Sequence, residues 1–226
     1  MRIIPITGNN TESKALSSLK VAAAPIIYLA SQSPRRSQLL DQIGVAHHIL
    51  VADAAENAIE DAETLEVALK NEAPKAYVMR VTALKLDAAV ARMKKRGLDT
   101  APVLCADTTV AMGRVIYGKP ESAADAARML AELSGKTHRV LTAVAVSHGR
   151  KRVSLLSESK VTFMKMTKAQ IASYVATGEP MGKAGSYGVQ GMAAGLIERI
   201  SGSYSGIMGL PLFETTQLLR QIGFIK

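Results

Sequence analysis

The feature that most constrains this fold is a short apolar run that passes directly into the start of a helix. Residues 26–29 are apolar and β-favouring, which predicts a strand. Ser33 then suits a helix N-cap, and Pro34 suits the first helical position, where a missing N–H costs nothing. Gly44 is placed to end that helix. The sequence therefore predicts a strand, a turn and a helix at the start of the core.

Two arginines, Arg35 and Arg36, fall in the first turn of this predicted helix. A helix N-terminus carries partial positive charge and disfavours a cation by a few tenths of a kcal/mol to about 1 kcal/mol. Two cations beside unpaired backbone N–H groups are explained if an anion binds there, and phosphate is the obvious candidate. The alternative is a pair of solvated surface arginines, and the local sequence favours neither.

Composition excludes several classes of protein. The formal net charge of +9 favours anionic partners, but three Phe and no Trp argue against stacking platforms for single-stranded nucleic acid. No apolar run reaches the length of a membrane span. The single cysteine, Cys105, cannot form an intramolecular disulfide and fits a reducing compartment. We expect a cytoplasmic protein with neither nucleic acid nor membrane as a partner.

Strand and helix patterns interleave along the chain, with hairpins among them. This order predicts an α/β fold with a mixed, twisted sheet flanked by helices. The further predicted strands are residues 102–110, 115–117, 139–146, 152–166 and 196–200, and the further helices are residues 74–96, 121–133, 168–177 and 211–223. Residues 1–24 are expected to form a loose extension, and residues 25–226 a single domain.

The long helix beginning at Pro74 carries one ambiguous lysine. Its predicted apolar stripe consists of Tyr77, Val81, Leu84 and Ala88. Lys85 lies at the edge of this buried side, where it either snorkels to solvent or points into a polar cleft. Local sequence favours snorkelling.

Three further segments carry groups that could perform chemistry. Asp107 stands at the end of an apolar strand, Lys119 follows the returning strand of a hairpin, and residues 183–191 form a glycine-rich loop that contains Gln190. Each has a structural alternative: a turn cap, a surface lysine, or tight turns. Together with the two arginines and Lys85, they suit a nucleoside polyphosphate and a divalent metal.

At this point the sequence resembles the Maf-like nucleoside triphosphate pyrophosphatases. The resemblance runs from about residue 26 to residue 224 and keeps the order of the family's motifs. The matching segments are Leu29-Ala30-Ser31-x-Ser33-Pro34-Arg35-Arg36-x-x-Leu39-Leu40, Ala106-Asp107-Thr108, Gly118-Lys119-Pro120, Ser134-Gly135-Lys136-Thr137-His138, Lys183-Ala184-Gly185-Ser186-Tyr187-Gly188-Val189-Gln190-Gly191, Gly202-Ser203-Tyr204 and Gly209-Leu210-Pro211-Leu212.

The resemblance implies a fold related to inosine triphosphate pyrophosphatases, with two lobes around a central cleft. It implies hydrolysis of a nucleoside triphosphate to the monophosphate and pyrophosphate, a divalent cation such as Mg²⁺ or Mn²⁺, and a homodimer. Arg-Arg after Ser-Pro, Thr after Asp, and Gln before Gly are typical of the branch that acts on dTTP and UTP.

The resemblance also assigns roles to residues. Asp107 matches the catalytic acid, which either accepts a proton from water or holds the metal, and Glu56 falls near the family's acidic Asp-Glu pair, although Ala55 replaces the aspartate. These two are the candidate metal ligands. The phosphate-binding cations are Arg36, Lys85 and Lys119, of which the two lysines are grouped with Asp107 as catalytic. The positions linked to base choice are Arg35, Thr108 and Gln190.

Two other functions remain open on the sequence. A nucleotide-binding regulator of cell division without significant turnover would use the same cations to hold a ligand. A nucleic-acid-binding protein would use the net charge of +9.

Overall fold

The computed structural model describes residues 25–53 and 65–226, which form one mixed sheet with helices on both faces. The strands are β1 (Ile27–Leu29), β2 (His47–Ile49), β3 (Val103–Met112), β4 (Val115–Tyr117), β5 (Thr137–His148), β6 (Lys151–Phe163) and β7 (Ile197–Ser201). The helices are α1 (Pro34–Gln42), α2 (Pro74–Lys95), α3 (Ala123–Leu133), α4 (Lys168–Ala176), α5 (Tyr204–Met208) and α6 (Leu212–Gln221). The predicted α/β fold with a mixed sheet is confirmed.

Strand β3 is where the sheet changes its pairing. The strand order is β2-β1-β3-β5-β6-β7, with β4 beside β3. β1 pairs in parallel with β2 and β3, whereas the pairs from β3 through β7 and the β3–β4 hairpin are antiparallel. The β1–α1–β2 crossover accounts for the parallel β1–β2 pair, and the hairpins β3–β4 and β5–β6 account for two of the antiparallel pairs. The antiparallel pairs β3–β5 and β6–β7 join strands that other elements separate in the chain.

Alternate residues of β3 bury against different helices. Leu104 and Ala106 belong to the cluster that contains the apolar residues of α1 and α6. Val103 and Cys105 belong instead to a cluster with α2. Because successive side chains of a strand point to opposite faces, α1 and α6 cover one face of the sheet and α2 the other. This alternation places Asp107 on the α2 face and Thr108 on the α1 face.

The register of α2 differs from its predicted stripe. Tyr77 and Val81 are buried as expected, but Leu84 is 37% exposed. The buried line continues at four-residue spacing to Ala89, which is completely buried, and it therefore passes through Lys85. The sequence-based preference for a snorkelling Lys85 is consequently wrong.

Most element boundaries fall near their predicted positions. The helix predicted at residues 168–177 is α4, and it begins with a capping box: the Thr167 hydroxyl accepts from the Gln170 N–H, and the Gln170 side chain accepts from the Thr167 N–H. The short elements β2 and α5 were not predicted. The expected extension, residues 1–24, lies outside the described residues. No helix in the described ranges combines the length and the apolar character needed to cross a bilayer.

Candidate active site

A cleft of about 520 Å³ lies where the turn after β1, the middle of β3 and the glycine-rich loop meet. This volume falls within the usual range for small-molecule sites. Among the described residues that line it, six side chains are cationic and two are carboxylates: Arg35, Arg36, Lys85, Arg92, Lys119 and Lys183, with Glu66 and Asp107.

Two carboxylates and two lysines form a connected cluster inside the cleft. Lys85 Nζ donates to Asp107 Oδ1 and to Glu66 Oε1, both at 2.6 Å. Lys119 Nζ donates to the same Glu66 carboxylate, at 3.0 and 3.3 Å. The Asp107 side chain is only 9% exposed, whereas that of Lys119 is 46% exposed. The cluster therefore runs from the buried face of the sheet to the mouth of the cleft.

Helix α2 holds Glu66 in this cluster. The Tyr77 hydroxyl donates to the Glu66 carbonyl at 2.8 Å. Six residues along the chain, the Glu72 carboxylate accepts two hydrogen bonds from the Arg80 guanidinium, both at 2.7 Å. Residues 66–72 are thus hydrogen-bonded to α2 at both ends, and α2 also carries Lys85.

The charges within the cluster stabilise one another. Burial disfavours the charged form of Lys85, but Asp107 and Glu66 outweigh it and hold the pKa of the amine above its usual value. Burial likewise opposes ionisation of Glu66, yet Lys85 and Lys119 lower the pKa of that carboxyl below its usual value. At neutral pH Lys85 and Glu66 are therefore both ionised.

Arg36 is fixed by acceptors of the protein itself. Its Nε donates to the Gly209 carbonyl at 2.8 Å, and its terminal nitrogens donate to Ser31 Oγ at 3.1 Å and to Thr108 Oγ1 at 3.5 Å. Burial lowers the pKa of Arg36 from its usual value, and the nearby Asp107 charge partly offsets this effect. Ser33 occupies the predicted N-cap position of α1, but its side chain makes no capping hydrogen bond.

Arg35 and Gln190 both line a second pocket that adjoins the main cleft. This pocket shares Arg35, Lys183 and Tyr187 with the main cleft, and Gln190 is exposed in it. Gln190 does not line the main cleft. The structure thus brings Arg36, Lys85, Asp107, Thr108 and Lys119 together in the main cleft. It places Gln190 in the adjoining pocket instead.

The glycine-rich loop packs closely against β3. Gly185 adopts a φ of +69°, and a Cβ there would lie 2.8 Å from Val110 Cγ1. The Gly185 N–H donates to the Gly118 carbonyl at 3.0 Å, which connects this loop to the turn carrying Lys119. The Glu179 carboxylate supports the other end of the loop by accepting from the Met192 N–H at 2.8 Å and from the Tyr174 hydroxyl at 2.9 Å.

Sequence reasoning missed Glu66. The candidate it named, Glu56, lies outside the described residues. The available signal was the acidic stretch of residues 53–72, but several carboxylates there look alike in the sequence. Among the described acids of this stretch, contacts with Tyr77, Lys85 and Lys119 distinguish Glu66.

Comparisons with known proteins agree on a family. A family model described as Maf-like protein matches residues 26–222. The chain is 66% identical over 198 residues to a dTTP/UTP pyrophosphatase of Albidiferax ferrireducens, covering 88% of this chain and 97% of that protein. It is 64% identical over 201 residues to one of a Polaromonas species, covering 89% and 98%. One of Cupriavidus metallidurans is 59% identical over 198 residues, covering 88% and 97%.

Among solved structures, the Ham1 protein of Staphylococcus aureus aligns with 61% of this chain and 71% of its own, at 13% identity and a TM-score of 0.38. A similarity at this level carries no argument about function.

Proposed function

The chain belongs to the Maf-like protein family, and from this premise we propose that it hydrolyses dTTP and UTP to the nucleoside monophosphate and pyrophosphate. Three relatives named dTTP/UTP pyrophosphatase are 59–66% identical to this chain over nearly their whole length. The observation that carries the proposal is the charge of the cleft: among the described residues that line it, six cationic side chains accompany two carboxylates. Such an excess of donors suits a polyanion such as a triphosphate.

The cluster supplies the groups that this reaction needs. Water attacks the α-phosphorus and pyrophosphate leaves, so negative charge grows on the bridging and terminal phosphate oxygens. Lys85, Lys119 and Arg36 are held in place before the reaction by protein partners, and fixed donors of this kind stabilise developing charge. Asp107 either accepts the proton of the attacking water or helps to hold a metal.

The donor set of the cleft fits a divalent cation. In the described residues, no three His, Cys, Asp or Glu side chains form a protein-only cage. Mg²⁺, however, is usually bound by one or two carboxylates together with substrate phosphates, and Asp107 and Glu66 share one lysine nitrogen in the cleft. We propose that these two carboxylates hold the cation. A bound cation would neutralise phosphate charge and acidify a coordinated water.

We propose a homodimer in the cytoplasm that binds neither nucleic acid nor membrane. The one cysteine, Cys105, is free and buried, as suits a reducing compartment. Light scattering tests whether the protein is a dimer. An affinity for an oligonucleotide that falls steeply with salt would show that the protein does bind nucleic acid.

A panel of nucleoside triphosphates with Mg²⁺ or Mn²⁺ tests the activity. We expect pyrophosphate, not phosphate, as the product, and a kcat/KM for dTTP and UTP at least about tenfold above that for CTP and the purine triphosphates. Nucleotide binding without pyrophosphate release in a single turnover would favour the regulator. Equal turnover of CTP and UTP would remove the base preference but keep the pyrophosphatase.

A further inference from the structure

Behind Thr108 lies a second threonine, which sequence reasoning did not single out. Thr142 is the direct cross-strand partner of Thr108 in the antiparallel β3–β5 pair. Its side chain is buried, with 1% of the residue exposed, and it does not line the cleft. Its hydroxyl oxygen lies 2.7 Å from the Gly206 carbonyl oxygen in α5 and 3.0 Å from Thr108 Oγ1.

These two contacts fix the direction of both hydroxyl protons. A carbonyl oxygen only accepts, so Thr142 must donate its single proton to Gly206. Thr142 can then only accept from Thr108, which therefore donates its own proton away from the cleft. The Arg36 nitrogen that faces Thr108 Oγ1 at 3.5 Å is a donor and agrees with this direction.

A Thr108 hydroxyl without an available proton offers only lone pairs to a ligand. Phosphate oxygens of an ionised nucleotide are acceptors, so they do not complement it. The complementary ligand atom is an N–H or O–H donor. In uracil and thymine, N3–H is such a donor and lies beside the O4 acceptor. In the same placement, cytosine presents the unprotonated N3 and leaves two acceptors facing each other.

We propose that Thr142 is a positioning residue that holds the Thr108 hydroxyl as an acceptor and thereby selects uracil or thymine over cytosine. This inference rests on the proposed pyrophosphatase function and adds a specificity determinant to it. Arg35, which also lines the cleft, can only donate and suits the O4 carbonyl beside N3–H. An acceptor at Thr108 and a donor at Arg35 together match the uracil edge.

Thr142→Val tests the proposal because valine keeps the shape of threonine and removes the hydroxyl. Thr108 can then rotate its proton toward the cleft and donate to N3 of cytosine. We expect the ratio of kcat/KM for UTP to kcat/KM for CTP to fall about tenfold, the size of one unpaired hydrogen bond. Thr142→Ser, which retains the hydroxyl, is the matched control and should keep the ratio within about twofold of the unsubstituted protein's.

A purely structural role for Thr142 would lower both kcat/KM values equally and leave their ratio unchanged, which would overturn the proposal. The same holds if Thr108 accepts from a sugar hydroxyl, because UTP and CTP share that group. Should Thr142→Val fail to fold, as judged by its circular dichroism and melting temperature, Thr142→Ala removes the same hydroxyl with less steric demand. Failure of the proposed function itself would be seen separately, as no pyrophosphate release from UTP or dTTP by the unsubstituted protein.

Discussion

Asp107 occupies the point at which the buried face of the sheet reaches the cleft, and an ion pair joins it to Lys85 at 2.6 Å. Asp107→Asn keeps the size of the side chain and removes both its charge and its basicity. Because general acid–base catalysis contributes about 10²- to 10⁴-fold, we expect kcat to fall by at least about 10²-fold. Pyrophosphate release measures the loss, with the melting temperature as the control for folding. A near-normal kcat would remove Asp107 from the chemistry.

Glu66 is the carboxylate that links the two lysines, so its charge should matter more than that of neighbouring acids. Glu66→Gln keeps the shape but weakens the contacts to Lys85 and Lys119. We expect kcat/KM to fall about 10- to 100-fold and the Mg²⁺ concentration for half-maximal activity to rise. The matched control is Glu72→Gln, which alters the Arg80 pair of the same segment outside the cleft. Equal losses in both variants would show that Glu66 only anchors the segment.

Some site residues could be predicted from the sequence, and others could not. Lys119 and Arg36 could be identified because each stands at a strand or helix end in a recognisable motif. Asp107 could be identified by its motif, although it lies in the middle of β3 and not at the strand end that the sequence predicted. The direction of Lys85 could not, because a shift of one residue in the buried stripe of α2 decides between solvent and cleft. Glu66 could not be chosen among nearby acids because tertiary contacts from α2 select it.

At the scale of elements, the glycine-rich loop depends on its approach to β3. Gly185→Ala would strain a φ of +69° and place a Cβ 2.8 Å from Val110. We expect a loss of about 2–5 kcal/mol in the free energy of unfolding, the sum of left-handed strain and overpacking. Gly44→Ala, at a φ of +68° with no atom within 4 Å, carries the strain alone and should cost about 1–2 kcal/mol. Chemical denaturation measures both losses. If the two variants lose similar free energies of unfolding, the loop moves to make room for the new methyl group.

The elements found from sequence are those that local signals define. The hairpin β5–β6 and the capping box of α4 have period-two patterning or cap residues that require no distant partner. Helix α5 has five residues in a Gly- and Ser-rich segment without periodicity. The Ser203 N–H donates to Ser159 Oγ of β6, and the Gly206 carbonyl accepts from Thr142 of β5. Because these contacts form only when the segment folds back onto the sheet, propensity alone could not predict α5.

At the scale of the whole molecule, the change of pairing at β3 creates the site. Its parallel neighbour β1 leads into the turn before α1 and brings Arg36, whereas its antiparallel neighbour β5 brings Thr142 beneath Thr108. Open α/β sheets commonly bind ligands beyond strand ends where the connections diverge. The charge pattern of the sequence could predict an anionic ligand, but not that two faces of one strand would supply the two halves of the cleft.

The stability of the whole molecule should depend on pH through one buried histidine. His138 on β5 is 1% exposed, packs against the rings of Phe163 and Tyr187, and hydrogen-bonds the Tyr187 hydroxyl at 2.8 Å. Burial lowers the pKa of His138 from 6.5 to about 4. Between these values the unfolded chain binds a proton that the folded protein does not, so acid favours unfolding.

The contribution of His138 to stability is therefore complete above pH 6.5 and is lost as the pH falls toward about 4. At about 1.4 kcal/mol for each pKa unit, this amounts to about 3 kcal/mol in the free energy of unfolding. Urea denaturation at several pH values across this window measures the slope. His138→Gln can still bond the Tyr187 hydroxyl but does not titrate, so its curve should be flatter by that amount. Parallel curves for the two proteins would mean that His138 is protonated equally in the folded and unfolded states.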